Sequence, residues 1–308
     1  MSAKSVVVGV DGSEHSHRAL EWALNTARGL DAPLVVAHVR SEALQLGAAR
    51  IASLGEPAEI PDSVLDGVRA WIEEQGGNVP VRYASLDGSV PDALLAEART
   101  ARLLVTGSRG RGGFTSLLLG STSRALASSA PCPVVVVPHE ARDVSLESGA
   151  TAGRILLGLH PEETADEVLD FAFHAARQRN VAVEAVTAYR LPPSPVILAG
   201  PPAPALQIPP PLPMDETPEL VTETTRRQEE RLRPFTERFP DVEVVPAVVP
   251  SDAAGRLVEG SQSAGLVVVG RHRRHRMESL LMGSVAHAVL HHAHCPVAVV
   301  PPAPPASA

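Results

Sequence analysis

Residues 107–123 read Gly-Ser-Arg-Gly-Arg-Gly-Gly-Phe-Thr-Ser-Leu-Leu-Leu-Gly-Ser-Thr-Ser, with Gly107 and Gly110 separated by two residues, then nine residues, then Gly120 and Ser121. Glycine leaves backbone amides uncovered, so they approach an anion closely, and it accepts positive φ. Gly120 and Ser121 are placed to open a helix, whose first-turn N–H groups and positive dipole end favour phosphate. Ser121, Thr122 and Ser123 add hydroxyl donors. The spacing is not that of a Walker A loop, and no lysine precedes Ser121. An ordinary flexible loop uses the same residue types, so the segment names a ligand only through its surroundings.

Those surroundings are legible. The apolar run 103–106 predicts a strand that ends at Gly107, and the run 6–10 predicts one that ends at Asp11. Ser13 can cap the helix that follows, in which Ala19, Leu20, Ala23, Ala27 and Leu30 share a face. Further strands are predicted at 34–39, 81–86 and 134–137, and further helices at 62–75, 91–101 and from about Gly120. Strands alternating with helices specify a parallel sheet with right-handed crossovers and helices on both faces. Ligands of such sheets sit beyond the carboxyl ends of the strands, at a switch point. Asp11 and Gly107 are therefore expected to converge.

The chain contains this pattern twice. Gly9 in Val-Val-Val-Gly-Val-Asp recurs 149 residues later as Gly158 in Ile-Leu-Leu-Gly-Leu-His. Gly107 recurs 163 residues later as Gly270, and Cys132 recurs at the same offset as Cys295. The longer offset places an insertion in the second copy, at residues 191–218, which hold 11 of the 29 prolines. A segment so poor in amide donors forms neither regular helix nor central strand and reads as a loop. The expected organisation is a first domain at 1–139, a linker at 140–153, a second domain at 154–301 and a tail at 302–308. The last strands, 134–137 and 297–300, would be apolar edges, and pairing them across a pseudo-two-fold axis would cover both.

Composition sets bounds. The 308 residues suit two domains, and the net charge of −8 disfavours a nucleic-acid partner. Aromatics are only 3%, so Val, Leu and Ala must build the cores. Two cysteines make no disulfide scaffold and suit a reducing compartment. No apolar run reaches the length of a membrane span, and no secretory leader precedes the first strand, so a cytoplasmic protein is expected.

The Gly-x2-Gly-x9-Gly-Ser element, in its strand-to-helix context and in a duplicated chain, resembles the ATP-binding signature of the universal stress protein family in its tandem form. The resemblance implies an α/β fold of two tandem, open, five-stranded parallel-sheet domains, Rossmann-like and akin to the adenine nucleotide alpha hydrolases, related by a pseudo-two-fold axis. By position, Gly9, Val10 and Asp11 would meet the adenosine, and the backbone of Val39 would meet adenine. Thr106, Gly107, Arg109 and Gly110 would line ribose and phosphates. Gly120, Ser121, Thr122 and Ser123 would hold the phosphate chain, with room for Mg2+ beside it. The implied function is ATP-dependent regulation in stress response, in an intramolecular pseudo-dimer or a homodimer with a further protein partner. Two rival readings are an ATP-cleaving enzyme of related fold and a nucleotide-free interaction module. The loop Gly9-Val-Asp-Gly-Ser13 suits the cleaving enzymes poorly.

The second copy departs from the pattern. His160 replaces the aspartate and Arg273 stands at the second glycine, while Gly283 and Ser284 are kept, so weak or no ATP binding is expected there. The arginines of that loop would be open to a different anion. The basic run 271–276 reads first as a solvated loop. His287 and His291 have the i, i+4 spacing of a zinc pair but no evident third ligand. Cys132 and Cys295 read as buried thiols, and no nucleophile–base pair stands out, so neither a catalytic residue nor a metal ligand is assigned.

Overall fold

The computed structural model describes residues 4–40, 61–110, 119–138, 153–189, 218–250, 252–271 and 282–303. The first half runs β1 (Val6–Val10), α1 (Glu14–Gly29), β2 (Leu34–Val39), α2 (Ser63–Gln75), β3 (Val81–Leu86), α3 (Val90–Ala98), β4 (Leu103–Gly107), α4 (Ser121–Ser129) and β5 (Val134–Val137). The second half repeats the alternation: β6 (Ile155–Gly158), α5 (Asp166–Arg179), β7 (Val183–Tyr189), α6 (Pro218–Arg238), β8 (Val244–Pro250), α7 (Ala253–Gly260), β9 (Leu266–Gly270), α8 (Ser284–His292) and β10 (Val297–Val300). The proline-rich insertion up to residue 217, the linker up to residue 152 and residues 272–276 of the basic run lie outside the described residues.

The strands form one ten-stranded sheet in the order β3-β2-β1-β4-β5-β10-β9-β6-β7-β8. Pairing is parallel within each half. At the centre β5 and β10 run antiparallel, with Val135 opposite Ala298. The strand order is mirrored about that pair. Strands that would be bare apolar edges in separate halves thus become the middle of the sheet, which removes their capacity for stray pairing.

Helix caps follow the local sequence. Ser13 accepts a hydrogen bond from the Ser16 amide and caps α1. Asp62 caps α2 rather than forming its first turn. Helix α3 starts one residue earlier than its proline suggests, because Ser89 caps it and places Pro91 in the first turn. It ends at Ala98, short of the predicted 101.

The central strands are buried on both faces, which is why they read as unbroken Val/Leu runs. Alternate side chains enter two cores: Val6 and Val8 face the side covered by α1, α2, α5 and α6, and Val7 faces the side of α3, α4, α7 and α8. Both cores draw residues from both halves. Phe173 packs at 5.6 Å from Phe235 and 5.5 Å from Phe239, so the second half concentrates the scarce aromatics at one point.

The outer edge β8 carries its own protection. The Val183 amide donates to the Glu243 carbonyl, which turns the odd-numbered residues of β8 toward β7 and the even-numbered ones outward. Pro246 and Pro250 therefore occupy outward positions where no amide is on offer.

Candidate functional site

A cavity of about 560 Å3 opens at the carboxyl ends of β1, β2 and β4, within the usual range for a small-molecule site. The sheet order makes it: β1 leads outward to β2 and inward to β4, so the chain switches direction at this point. Gly9, Val10 and Asp11 come from β1 and the residue after it, and Val39 ends β2. Thr106, Gly107, Arg109 and Gly110 come from the end of β4 and its loop. Gly120, Ser121, Thr122 and Ser123 come from the cap and first turn of α4. Every site residue expected from the sequence borders this one cavity.

Four further lining residues escaped the sequence reading: Ser16, Ala37, Val90 and Leu94. Signals for them existed. Ala37 shares the face of Val39 by the two-residue period of a strand, and Val90 and Leu94 lie one turn apart on α3. Among the described residues Val90 is the exposed large hydrophobic side chain, at 41%. With Ala37, Val39 and Leu94 it gives one end of the cavity an apolar wall.

The other end is polar and tightly drawn. The Gly120 amide donates to the Ser108 carbonyl at 2.7 Å, and Ser123 Oγ donates to the Gly107 carbonyl at 2.7 Å, which pins the start of α4 to the end of β4. Ser13 donates to Asp11 Oδ1 through its amide at 3.0 Å and its hydroxyl at 2.6 Å, fixing the carboxylate at the mouth of α1. A β-carbon on Gly107 would stand 2.8 Å from the His15 carbonyl oxygen, and one on Gly110 would stand 2.7 Å from Asp11 Oδ2. Neither glycine is among the described residues with positive φ. Close approach, rather than left-handed backbone, is what demands glycine here. The free amides of the first turn of α4 then face the cavity, and no side chain of Gly120 covers them.

The equivalent place in the second half is built differently. The His160 amide donates to Thr164 Oγ1 at 2.8 Å, and His160 Nδ1 accepts the amides of Glu162 and Glu163 at 3.4 and 3.3 Å. The imidazole is thus spent on its own turn. Arg271 reaches back across the centre of the sheet to the Ala130 carbonyl at 2.8 Å, where its charge meets the C-terminal end of α4. Gly283 keeps the extended cap conformation of Gly120. Arg273 lies outside the described residues.

The other candidates resolve as follows. Cys132 and Cys295 are buried, and burial pushes their thiols up to about 11 and about 12. The rings of His287 and His291 lie 4.5 Å apart on α8. Burial, followed by the neighbouring His287, His292 and Arg124, holds His291 below its ordinary value. Among the described residues no group of three His, Cys, Asp or Glu stands together as a metal site.

A polar cluster that the sequence did not reveal lies on the opposite face of β2. His38 Nδ1 is 2.8 Å from Asp62, Ser85 donates to Asp62 Oδ2 at 2.7 Å, and the Leu65 amide donates to Asp62 Oδ1 at 3.2 Å. Burial pushes the Asp62 carboxyl up, but hydrogen bonds from His38, Ser85 and Leu65 together outweigh it and leave it below its ordinary value. The cluster ties α2 to β2 and β3. In the second half Gln228 does the same work, donating to the Ala185 carbonyl and to Thr187 Oγ1.

The sequence model of the universal stress protein family matches residues 2–138 and 151–301. Universal stress protein Rv2005c of Mycobacterium tuberculosis (strain ATCC 25618 / H37Rv) is 33% identical, over 96% of this chain and 96% of its own. Universal stress protein Rv1996 of the same strain is 31% identical, over 96% of this chain and 94% of its own. Among solved structures, a universal stress protein from Archaeoglobus fulgidus DSM 4304 superposes with a TM-score of 0.63 at 17% identity, covering 98% of this chain and 99% of that one. No helix among the described residues is long and apolar enough to cross a membrane. With two matched copies spanning most of its length and one shared parallel-sheet fold, the chain belongs to the universal stress protein family.

Proposed function

We propose that the first half binds ATP in the cavity between β1, β4 and α4, and that the chain acts as a nucleotide-dependent regulator in stress response. The observation that carries this reading is the meeting of Asp11, Gly110 and the first turn of α4 around one cavity. The parts suit the ligand. The apolar wall of Ala37, Val39, Val90 and Leu94 fits a flat base, and Asp11 supplies an acceptor for ribose hydroxyls. The amides of residues 121–123 and the hydroxyls of Ser121 and Thr122 fit phosphates, and those two hydroxyls are also placed to approach an accompanying Mg2+. Stoichiometry of one nucleotide per chain follows from His160, whose ring is engaged where the first half presents a carboxylate. Binding rather than turnover is the proposed mode of action, with occupancy changing the conformation or the partner.

Native mass spectrometry of the purified full chain tests the proposal. An adenine nucleotide retained at one per chain, or taken up on adding ATP, is the expected result. A chain that neither retains nor takes up nucleotide would overturn it.

A further inference from the structure

The two outermost strands of the sheet, β3 and β8, correspond in the duplication. Leu34 of β2 pairs with Val81, and Val183 of β7, 149 residues later, pairs with Val244, so Tyr83 answers to Pro246 and Asp87 to Pro250. The Leu34 and Arg40 amides donate to the Pro80 and Leu86 carbonyls, which turns the even-numbered residues of β3 toward β2 and Val81, Tyr83 and Ser85 outward. On β8 proline removes the amide at two outward positions. On β3 every outward position keeps its amide, and among the described residues none of the three has an acceptor. Val81–Leu86 contains neither proline nor glycine, and the charge of Arg82, which could guard such an edge, is matched by Glu97.

A bare edge of this kind accepts another strand. The opposite edge says whose. Were both edges open, copies would join β3 to β8 head to tail and grow without limit. The prolines of β8 block that contact and leave β3 against β3, which closes on itself as a pair. The strand is also complementary to its own copy. An antiparallel pair centred on Tyr83 sets Val81 opposite Ser85 and Tyr83 opposite Tyr83, each exchanging two backbone hydrogen bonds. The two tyrosines make a favourable cross-strand aromatic pair, and Arg69 already lies over the Tyr83 ring, 4.6 Å from its centre. Arg82 falls opposite Ala84, so no like charges stand directly across the junction. We propose that the β3 edge joins two copies of this chain in a symmetric dimer, β3 antiparallel to β3 about Tyr83, so that the sheets of the two copies run on as one.

Tyr83→Cys tests the register, because at the centre of such a pair the two Cα atoms stand about 5.5 Å apart, within disulfide reach. The native thiols do not compete, since Cys132 and Cys295 are buried. Mild oxidation of the full-length variant is expected to give a covalent dimer of twice 32.3 kDa on a non-reducing gel, while Pro246→Cys, at the matching place on β8, stays monomeric. Sedimentation equilibrium up to about 100 μM, a concentration suited to a small interface, should show the wild type dimerising and Tyr83→Pro, which copies the β8 device, remaining a monomer. Should Tyr83→Pro fail to fold, the two cysteine variants decide alone. A wild type that stays monomeric throughout, equal crosslinking at positions 83 and 246, or a wild-type dimer without the Tyr83→Cys crosslink would overturn the proposal.

Discussion

The Asp11 carboxylate and the Gly110 backbone lie so close that a β-carbon at position 110 would stand 2.7 Å from Asp11 Oδ2. The carboxylate is already fixed on its other oxygen by Ser13, so it cannot swing away without breaking two hydrogen bonds. Gly110→Ala should therefore displace the loop or the carboxylate and weaken ATP binding by about tenfold or more. Gly110 is exposed and makes no core contact, so the melting temperature should stay nearly unchanged. Paired binding and melting curves check both halves of this expectation.

Val90 gives a second test at the opposite end of the cavity. It is 41% exposed where it borders the cavity, so a flat apolar ligand seated there would cover it. Val90→Asp places a charge against the expected base. Nucleotide affinity should fall by about tenfold, with stability within about 0.5 kcal/mol of wild type because the side chain is at the surface. Adenosine should suffer as much as ATP, which separates this wall from the phosphate end of the cavity.

Asp62 predicts a dependence on pH. Its carboxyl titrates below the ordinary value because His38, Ser85 and the Leu65 amide hydrogen-bond its charged form. A group depressed in the folded state adds stability above its unfolded pKa and loses it as the pH falls through the folded value. Asp62→Asn should thus destabilise the protein at pH 7, by about 1–3 kcal/mol for a buried charged hydrogen-bond network. The difference should narrow below about pH 4 as the wild-type carboxyl protonates. Urea melts at the two pH values measure it.

The thiols offer a probe of the paired cores. Cys132 and Cys295 are buried and pushed up to about 11 and about 12, so little reactive thiolate exists at pH 8. Alkylation of the native protein should be slow at both sites and become rapid in denaturant. Rapid native labelling of either cysteine would show that the α3/α4/α7/α8 core opens locally.

Much of this architecture could be read before any coordinates. Strand and helix alternation, the Gly9–Gly158 and Gly107–Gly270 correspondences and the pairing of the two final strands all rest on short-range patterns that packing reinforces. The convergence of the two strand ends was legible for the same reason: Asp11 and Gly107 are expected to meet at a switch point, and both border the one cavity. Other features were hidden because they depend on which helix face meets which strand. Val90 and Leu94 border the cavity because α3 packs against β1 and β2. The His38–Asp62–Ser85 cluster joins residues 23 or more positions apart, through polar types that also suit a surface. Arg271 belongs to a run that reads as a solvated loop, yet it spans 141 residues to hold the end of α4.

Titration calorimetry of the full chain with ATP tests the central claim most directly, repeated on Gly120→Val, which sets a branched side chain beside the Ser108 carbonyl and the Arg109 Cα. The account predicts saturable binding of one ATP per chain in the wild type and its loss in a Gly120→Val protein that still melts cooperatively. Two sites per chain, or undiminished binding in that variant, would contradict it.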